Sequence, residues 1–214
     1  MRNIRGAIFD MDGTLLDSMP IYDTAISDMM RSLGYSPRED LYEAVRPLSG
    51  NEVLEYLRGE YGVTHTLDEL NDALDRELFD YYNTTPPMKP GVLALLDKLR
   101  AENIPMCVAT ATNRVHVEAA LNRLGIAGYF TRIFTCAEEE TGKREPKIFL
   151  KAAEHLGFAP TDVYVFEDAV HAIHTAKNAG FRVVAVRDLA EDKNRAEIIS
   201  VADEFYDDLS DFVW

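Results

Sequence analysis

Two aspartates, Asp10 and Asp12, come just after a β-rich run at positions 4–9 that predicts a buried strand. Side chains at positions i and i+2 of an extended chain project to the same side, so both carboxylates can reach one hard cation. Gly13 then allows a sharp turn. Acidic turns of this kind are common, but an EF-hand is excluded, because it needs a bidentate Glu where Ile21 stands.

Three further polar sites each follow a predicted strand. Thr110 comes after positions 106–109, Lys143 lies in the loop after 134–136, and the pair Glu167 and Asp168 comes after 163–166. The Thr110 hydroxyl and the amides that open the next helix could hold phosphate oxygens, Lys143 could supply a positive charge, and the two acids could add ligands for the cation. Each alone could be a helix N-cap or a solvated loop residue. Their joint order favours one shared site.

The elements that would position these residues alternate between strands and helices. Short β-rich runs predict strands at 4–9, 105–109, 132–136, 163–166 and 182–186. Helical spacing of apolar residues predicts helices at 92–99, 115–124, 148–156 and 169–179. This order is typical of an α/β fold with a Rossmann-like parallel sheet, in which ligands bind at the carboxyl ends of the strands.

The segment at positions 17–87 interrupts that alternation. It contains helical patterns at 21–33, 51–61 and 67–82 and no convincing strand, and it ends in a Thr-Thr-Pro-Pro stretch that suits a hinge. We therefore predict a catalytic core at 1–16 and 88–214 and an inserted, all-helical cap at 17–87. Helices inserted after the first strand would lie over the ligand-binding edge of the sheet, so the cap is a candidate lid.

The charge of the chain limits its partners. The 214 residues carry 37 acidic and 22 basic side chains, a formal net charge of −15, and we therefore expect no nucleic-acid partner. A bound divalent cation can still reverse the local field and admit a small anion. We expect no membrane partner and a cytoplasmic location, because no targeting segment or long apolar stretch is found. The two cysteines, Cys107 and Cys136, are expected to be reduced core thiols.

At this level of detail the sequence resembles the haloacid dehalogenase-like (HAD) phosphohydrolases, in the branch that contains phosphoglycolate phosphatase and β-phosphoglucomutase. The resemblance covers essentially the whole chain. It is carried by the segment DMDGTLLDS at 10–18, by Thr110, by KREPKIF at 143–149 and by FEDA at 166–169.

The resemblance implies a role for each matching residue. Asp10 would attack phosphorus and form an aspartyl-phosphate, and Asp12 would act as general acid and then as general base. Mg²⁺ would be held by the Asp10 carboxylate, the Asp12 backbone carbonyl and Asp168. Glu167 would bind it directly or through a water molecule. The phosphate would be bound by a further set: Lys143, Thr110, Met11, Ala111, Thr112 and Asn113.

Two departures from the family pattern affect the third motif. Arg144 stands where the family usually has Pro, and Lys147 stands where it usually has Asp. Either the phosphate face is unusually basic or Lys147 competes for the role of the phosphate-site lysine; the register favours Lys143.

The cap residues bear on the choice between hydrolase and mutase. β-Phosphoglucomutases carry a cap His and a Lys followed by Arg, and the corresponding positions of this chain hold Tyr22, Arg46 and Gly50. Hydrolysis of a small phosphorylated metabolite, such as a sugar phosphate, is therefore favoured, with Tyr22, Arg46 and Ser49 as candidate substrate contacts. The alternatives are a phosphosugar mutase, a phosphate-receiver domain and a non-catalytic binding protein. We expect a monomer or a weak homodimer.

Overall fold

A computed structural model describes residues 4–45, 48 and 50–212. These residues form six β-strands: β1 (Gly6–Phe9), β2 (Met106–Thr110), β3 (Phe130–Thr135), β4 (Val163–Glu167), β5 (Arg182–Val186) and β6 (Glu204–Tyr206). All pairs are parallel, and the order across the sheet is β3-β2-β1-β4-β5-β6. The predicted α/β fold with a parallel sheet is confirmed.

The described part of the chain also contains nine α-helices. They are α1 (Ile21–Ser32), α2 (Leu41–Val45), α3 (Gly50–Tyr61), α4 (Leu67–Thr84), α5 (Val92–Ala101), α6 (Arg114–Arg123), α7 (Lys147–Leu156), α8 (Val170–Asn178) and α9 (Arg195–Val201). No helix among the described residues is both long and apolar enough to cross a membrane.

The central strands are buried throughout and mainly apolar because both faces of the sheet are covered, as parallel sheets require. On one face, Ile8 belongs to a buried cluster with side chains of α7 and α8, including Phe149. On the other face, the rings of Phe9 and Phe166 stack with centroids 4.4 Å apart, and the ring of Phe212 lies 5.5 Å from that of Phe166. Burial on both faces fixes the strands and therefore the loops at their ends.

The register of the sheet brings the ends of the strands together. Phe9 of β1 lies opposite Val108 of β2 and opposite Phe166 of β4. Asp10 and Glu167, each the next residue along its strand, therefore meet at the same edge of the sheet. The sequence-predicted sites are brought to one place by this register.

The chain divides into two compact units, Met1–Ser18 with Pro86–Trp214 and Met19–Thr85. The second unit consists of α1 to α4 around a core of its own, in which Met30 and Leu57 are fully buried. A capping box starts α4, because the Thr66 hydroxyl accepts from the Glu69 amide at 3.2 Å while the Glu69 carboxylate accepts from the Thr66 amide at 2.8 Å.

Within the first unit, the segments that flank the insertion pair with each other. The Asp17 amide donates to the Pro87 carbonyl and the Lys89 amide donates to the Leu15 carbonyl, each at 3.0 Å. An antiparallel bridge joins Leu16 to position 88 between them. The chain therefore leaves and re-enters the sheet unit through two adjacent, hydrogen-bonded segments.

Several element boundaries differ from the sequence prediction. The first strand begins at Gly6 rather than at position 4, and β3 runs from Phe130 to Thr135 rather than over 132–136. The elements α2, α9 and β6 were not predicted from the sequence. All three are short, and β6 is a three-residue edge strand whose side chains are only partly buried, so it lacks the apolar run that marks the central strands.

Candidate active site

The turn after β1 is held by backbone bonds that fix the first carboxylate. The Asp10 amide donates to the Phe166 carbonyl at 3.0 Å, and the Leu15 and Leu16 amides both donate to the Met11 carbonyl at 2.9 Å. The chain thus turns back on itself immediately after Asp10. Asp10 is directed to the carboxyl edge of the sheet with 8% of its surface exposed.

Gly13 occupies the tightest point of this turn. Its φ of +76° lies in the left-handed region that favours glycine, and a Cβ built on it would lie 2.2 Å from Asp168 Oδ2. The next residue, Thr14, donates from its hydroxyl to Asp168 Oδ1 at 2.9 Å. The turn therefore packs directly against the acidic pair that follows β4.

Three carboxylates and one lysine form a buried cluster at this edge. Oxygen atoms of Asp10, Glu167 and Asp168 lie within 4.8 Å of one another. The Lys143 ammonium is 2.5 Å from Asp10 Oδ1 and 2.8 Å from Glu167 Oε2. The second Glu167 oxygen accepts from the Ala169 amide at 3.2 Å. Residues from β1, β4 and the loop after β3 thus share one site.

The protonation of the cluster reflects its burial and its charges. Burial, followed by the charge of Asp10, raises the pKa of Glu167 to about 8. Burial and the charge of Glu167 raise the pKa of Asp168 well above its ordinary value. Burial alone lowers the pKa of Lys143, but the charges of Asp10 and Glu167 outweigh it, so the net pKa is raised and the side chain stays charged.

This donor set fits a magnesium ion. Mg²⁺ prefers carboxylate and carbonyl oxygens, and the three clustered groups supply such oxygens. Fully ionised, the three carboxylates and the Lys143 ammonium carry a net charge of −2. A divalent cation would balance that charge and favour the ionised state of the buried acids.

Asp12 lies beside this cluster in a different environment. Its Oδ1 accepts from the Ser18 hydroxyl at 2.6 Å, and its Oδ2 accepts from the Thr112 hydroxyl at 2.5 Å. Asp12 is 8% exposed. The two aspartates of the first motif therefore have distinct partners: an ammonium for Asp10 and two hydroxyls for Asp12.

The other residues predicted around the phosphate come from the same edge of the sheet. Thr110 ends β2 and is buried, and its hydroxyl accepts from the Thr112 amide at 3.1 Å. Met11 is fully buried, whereas Ala111 and Asn113 are exposed in the turn before α6. The Thr112 amide and hydroxyl are both engaged by protein groups, so the two exposed neighbours are the more accessible part of this turn.

The structure also places the two candidate lysines. Lys143 is buried against Asp10, whereas Lys147 is the half-buried first residue of α7. Arg144, the other departure from the family pattern, is exposed. Of the two lysines, Lys143 therefore lies in the acidic cluster.

The predicted cap residues belong to the helical unit. Tyr22 lies on α1, and its hydroxyl is 3.5 Å from that of Tyr82 on α4. Arg46 and Ser49 lie outside the described residues. Two site residues of the sheet unit, Thr14 and Ser18, were not assigned roles from the sequence, because their contacts depend on the path of the turn rather than on spacing.

Comparison with known proteins shows what this architecture belongs to. The family model for haloacid dehalogenase-like hydrolases matches residues 7–186. This chain belongs to that family. The match spans the turn after β1, the acids after β4 and the intervening helical unit, and it confirms the family resemblance found in the sequence.

Relatives within the haloacid dehalogenase-like family are similar over nearly their whole length. The chain is 32% identical to (DL)-glycerol-3-phosphatase 2 of Arabidopsis thaliana, covering 98% of this chain and 89% of that protein. It is 28% identical to a phosphorylated carbohydrates phosphatase of Thermotoga maritima, covering 93% of each. A crystal structure from Thermotoga maritima, described as a candidate β-phosphoglucomutase, superposes with a TM-score of 0.80 at 27% identity over 95% of this chain and 94% of that one.

Proposed function

We propose that the protein is a magnesium-dependent phosphatase that hydrolyses a small phosphorylated metabolite, such as a sugar phosphate, through an aspartyl-phosphate. The observation that carries this proposal is the pairing of Asp10 with Lys143 at 2.5 Å inside a cluster that also holds Glu167 and Asp168. The named phosphatases among the relatives support the same reaction class.

In the first step the Asp10 carboxylate attacks phosphorus and the bond from phosphorus to the ester oxygen breaks. Asp12 gives its proton to the departing oxygen, so the product leaves as an alcohol. Lys143 orients Asp10 and offers a positive charge to the transferring phosphoryl group. When bound to Asp10, Asp168 and Glu167, Mg²⁺ supplies charge neutralisation for the phosphate and the attacking carboxylate.

In the second step water attacks the aspartyl-phosphate. Asp12, now ionised, takes a proton from that water, and the bond between phosphorus and the Asp10 oxygen breaks. Inorganic phosphate is released and Asp10 is regenerated as a carboxylate. One residue thus serves first as acid and then as base.

We further propose that the helical unit is the lid that selects the substrate. It has a buried core of its own, and its two connections meet where the Asp17 amide bonds to the Pro87 carbonyl, next in the chain to Ser18. Closure would exclude bulk water from the first step.

The test is phosphate release from a panel of sugar phosphates, glycerol phosphate, phosphoglycolate and an aryl phosphate, with and without Mg²⁺. Wild-type protein should release phosphate only with Mg²⁺, and Asp10→Asn should abolish release. Asp97→Asn makes the same change from carboxylate to carboxamide at an exposed position on α5. It is the matched control and should keep full activity.

Conversion of a hexose 1-phosphate to its 6-phosphate without net phosphate release would instead establish a mutase, the activity suggested by the structural similarity to the candidate β-phosphoglucomutase. Full activity in Asp10→Asn would overturn the proposed nucleophile.

A further inference from the structure

The environment of Asp12 goes beyond what the proposed reaction requires of a general acid and base. Each of its carboxylate oxygens accepts a short hydrogen bond from a neutral hydroxyl, from Ser18 at 2.6 Å and from Thr112 at 2.5 Å. Bonds of this kind to an ionised oxygen are shorter and stronger than neutral ones. Ser18 is six residues from Asp12 in the chain, whereas Thr112 is 100 residues away, so the Thr112 contact is made by the fold and not by local sequence.

The Thr112 hydroxyl is itself held in place. The Thr112 amide donates to the Thr110 hydroxyl at 3.1 Å, and Thr110 is the buried last residue of β2, whose carbonyl accepts from the Cys136 amide at 2.9 Å. Threonine is β-branched and has few accessible side-chain orientations. The end of β2 therefore determines where the hydroxyl points, and the hydroxyl points at Asp12.

This arrangement bears on the role that sequence reasoning gave to Thr112, a phosphate ligand. A threonine hydroxyl has a single hydrogen to donate. In the structure that hydrogen is committed to Asp12 Oδ2, and the Thr112 amide is committed to Thr110. Neither donor of Thr112 is directed to a phosphate.

We propose that Thr112 is a positioning residue that, together with Ser18, holds the Asp12 carboxylate in the orientation needed for proton transfer. The inference rests on the proposed phosphatase function. A carboxylate acts as general acid or base only within hydrogen-bond reach of the reacting oxygen, and small misplacements cost large factors in rate. A hydroxyl on each oxygen fixes the plane of the carboxylate, which one bond alone would leave free to turn.

The kinetic test compares Thr112→Val, which removes the hydroxyl at constant shape, with Thr112→Ser, which keeps it. We expect Thr112→Val to lower kcat by roughly tenfold or more and Thr112→Ser to recover most of that loss. Alkyl phosphates should suffer more than nitrophenyl phosphate, because a poor leaving group depends more on protonation. Ser18→Ala should show the same dependence on the leaving group.

The competing role for Thr112 gives opposite results. If Thr112 binds phosphate, Thr112→Val should weaken inhibition by inorganic phosphate and raise KM for all esters alike. If Thr112 is a positioning residue, Thr112→Val should leave the inhibition constant of phosphate within about twofold of wild type. Thr161→Val, an exposed threonine before the amino end of β4, is the control and should change neither quantity.

A crystal structure of Thr112→Val provides a readout that does not depend on turnover. We expect the Asp12 carboxylate to rotate or to occupy two orientations in Thr112→Val and to keep one orientation in wild type and Thr112→Ser. An unchanged Asp12 in Thr112→Val would overturn the inference even if the enzyme is an active phosphatase. Failure of wild-type protein to release phosphate from any ester would count against the proposed function, and the crystallographic comparison would still decide the role of Thr112.

Discussion

At the scale of single residues, Gly13 occupies a point in the site where no side chain fits. Gly13 combines a φ of +76° with a hypothetical Cβ position only 2.2 Å from Asp168 Oδ2. Any larger residue would strain the backbone and also push away a carboxylate of the cluster. The two effects can be separated, because other glycines of the chain share the backbone conformation without the close contact.

We expect Gly13→Ala to lower the free energy of unfolding by about 2–4 kcal/mol, from backbone strain together with overpacking. Urea denaturation measures this. Gly125→Ala is the matched control, since Gly125 has φ +70° but nothing within 4 Å of its added Cβ. Gly125→Ala should lower the free energy of unfolding by only about 1 kcal/mol, because it adds backbone strain without overpacking. Equal losses in the two variants would show that the contact with Asp168 is unimportant.

The buried acids predict a response to metal. Mg²⁺ that binds the folded protein should stabilise it by about 2.7 kcal/mol at a hundredfold excess over Kd. We therefore expect the Tm to fall when EDTA removes Mg²⁺, and Asp168→Asn to abolish most of that difference. Asp97→Asn should keep it. A Tm that does not respond to Mg²⁺ in wild-type protein would argue against a cation held by Asp10, Glu167 and Asp168.

At the scale of elements, a single carboxylate ties β5 to its neighbours. Asp203, just before β6, accepts from the Val183 amide of β5 and from the Lys177 ammonium of α8, each at 2.7 Å. Burial alone raises the pKa of Asp203, but these two bonds outweigh it, so the pKa is lowered from 3.8. The side chain joins the start of the edge strand β6 and the helix α8 to β5.

This contact predicts a pH-dependent stability. The pKa of Asp203 is lower in the folded than in the unfolded state. Its contribution to the free energy of unfolding is therefore complete at pH values above the ordinary Asp pKa, and it is lost as the pH falls through the pKa of the folded state. We expect Asp203→Asn to cost about 1 kcal/mol at pH 7 and progressively less below pH 4. Urea unfolding at several pH values measures the difference. Asp207→Asn, in an exposed ion pair with Arg195, should cost less than about 0.5 kcal/mol at any pH.

The elements also show how far sequence patterns reach. The prediction for 182–186 coincides with β5, because that apolar run is bounded by Gly180 and Asp188. The strand Glu204–Tyr206 was not predicted from the sequence, because its pairing with β5 depends on the tertiary fold. The site follows the same rule. The clustered carboxylates could be predicted because they follow the ends of predicted strands. The bonds from Ser18 and Thr112 to Asp12 could not, because they depend on turns that residue spacing does not specify.

At the scale of the whole molecule, the net charge of −15 opposes the approach of an anionic substrate. Added salt screens this long-range repulsion, since the Debye length falls from about 30 Å at 0.01 M to about 8 Å at 0.15 M. Contacts inside the site are screened much less. Added salt should therefore favour the encounter with an anionic substrate and its binding, whereas it disfavours both for a basic enzyme.

We expect kcat/KM for a phosphate ester to rise roughly two- to fivefold when the NaCl concentration increases from 10 to 150 mM at constant free Mg²⁺. Steady-state kinetics at low substrate concentration measures it, with sucrose of equal osmolality as the control. A decrease with salt would mean that the local positive field of Lys143 and the cation dominates the approach of the substrate.

The paired segments at 15–17 and 87–89 have a consequence for how such a molecule changes over evolution. Because Asp17 bonds to Pro87 and Lys89 bonds to Leu15, the two ends of the insertion lie as close together as neighbouring strands of a hairpin. A short turn could close the same gap. Helices can therefore be gained, lost or exchanged at this point while Asp10 and Glu167 keep their places in the sheet. The fold is modular, and the sheet unit and the inserted helices can diversify separately.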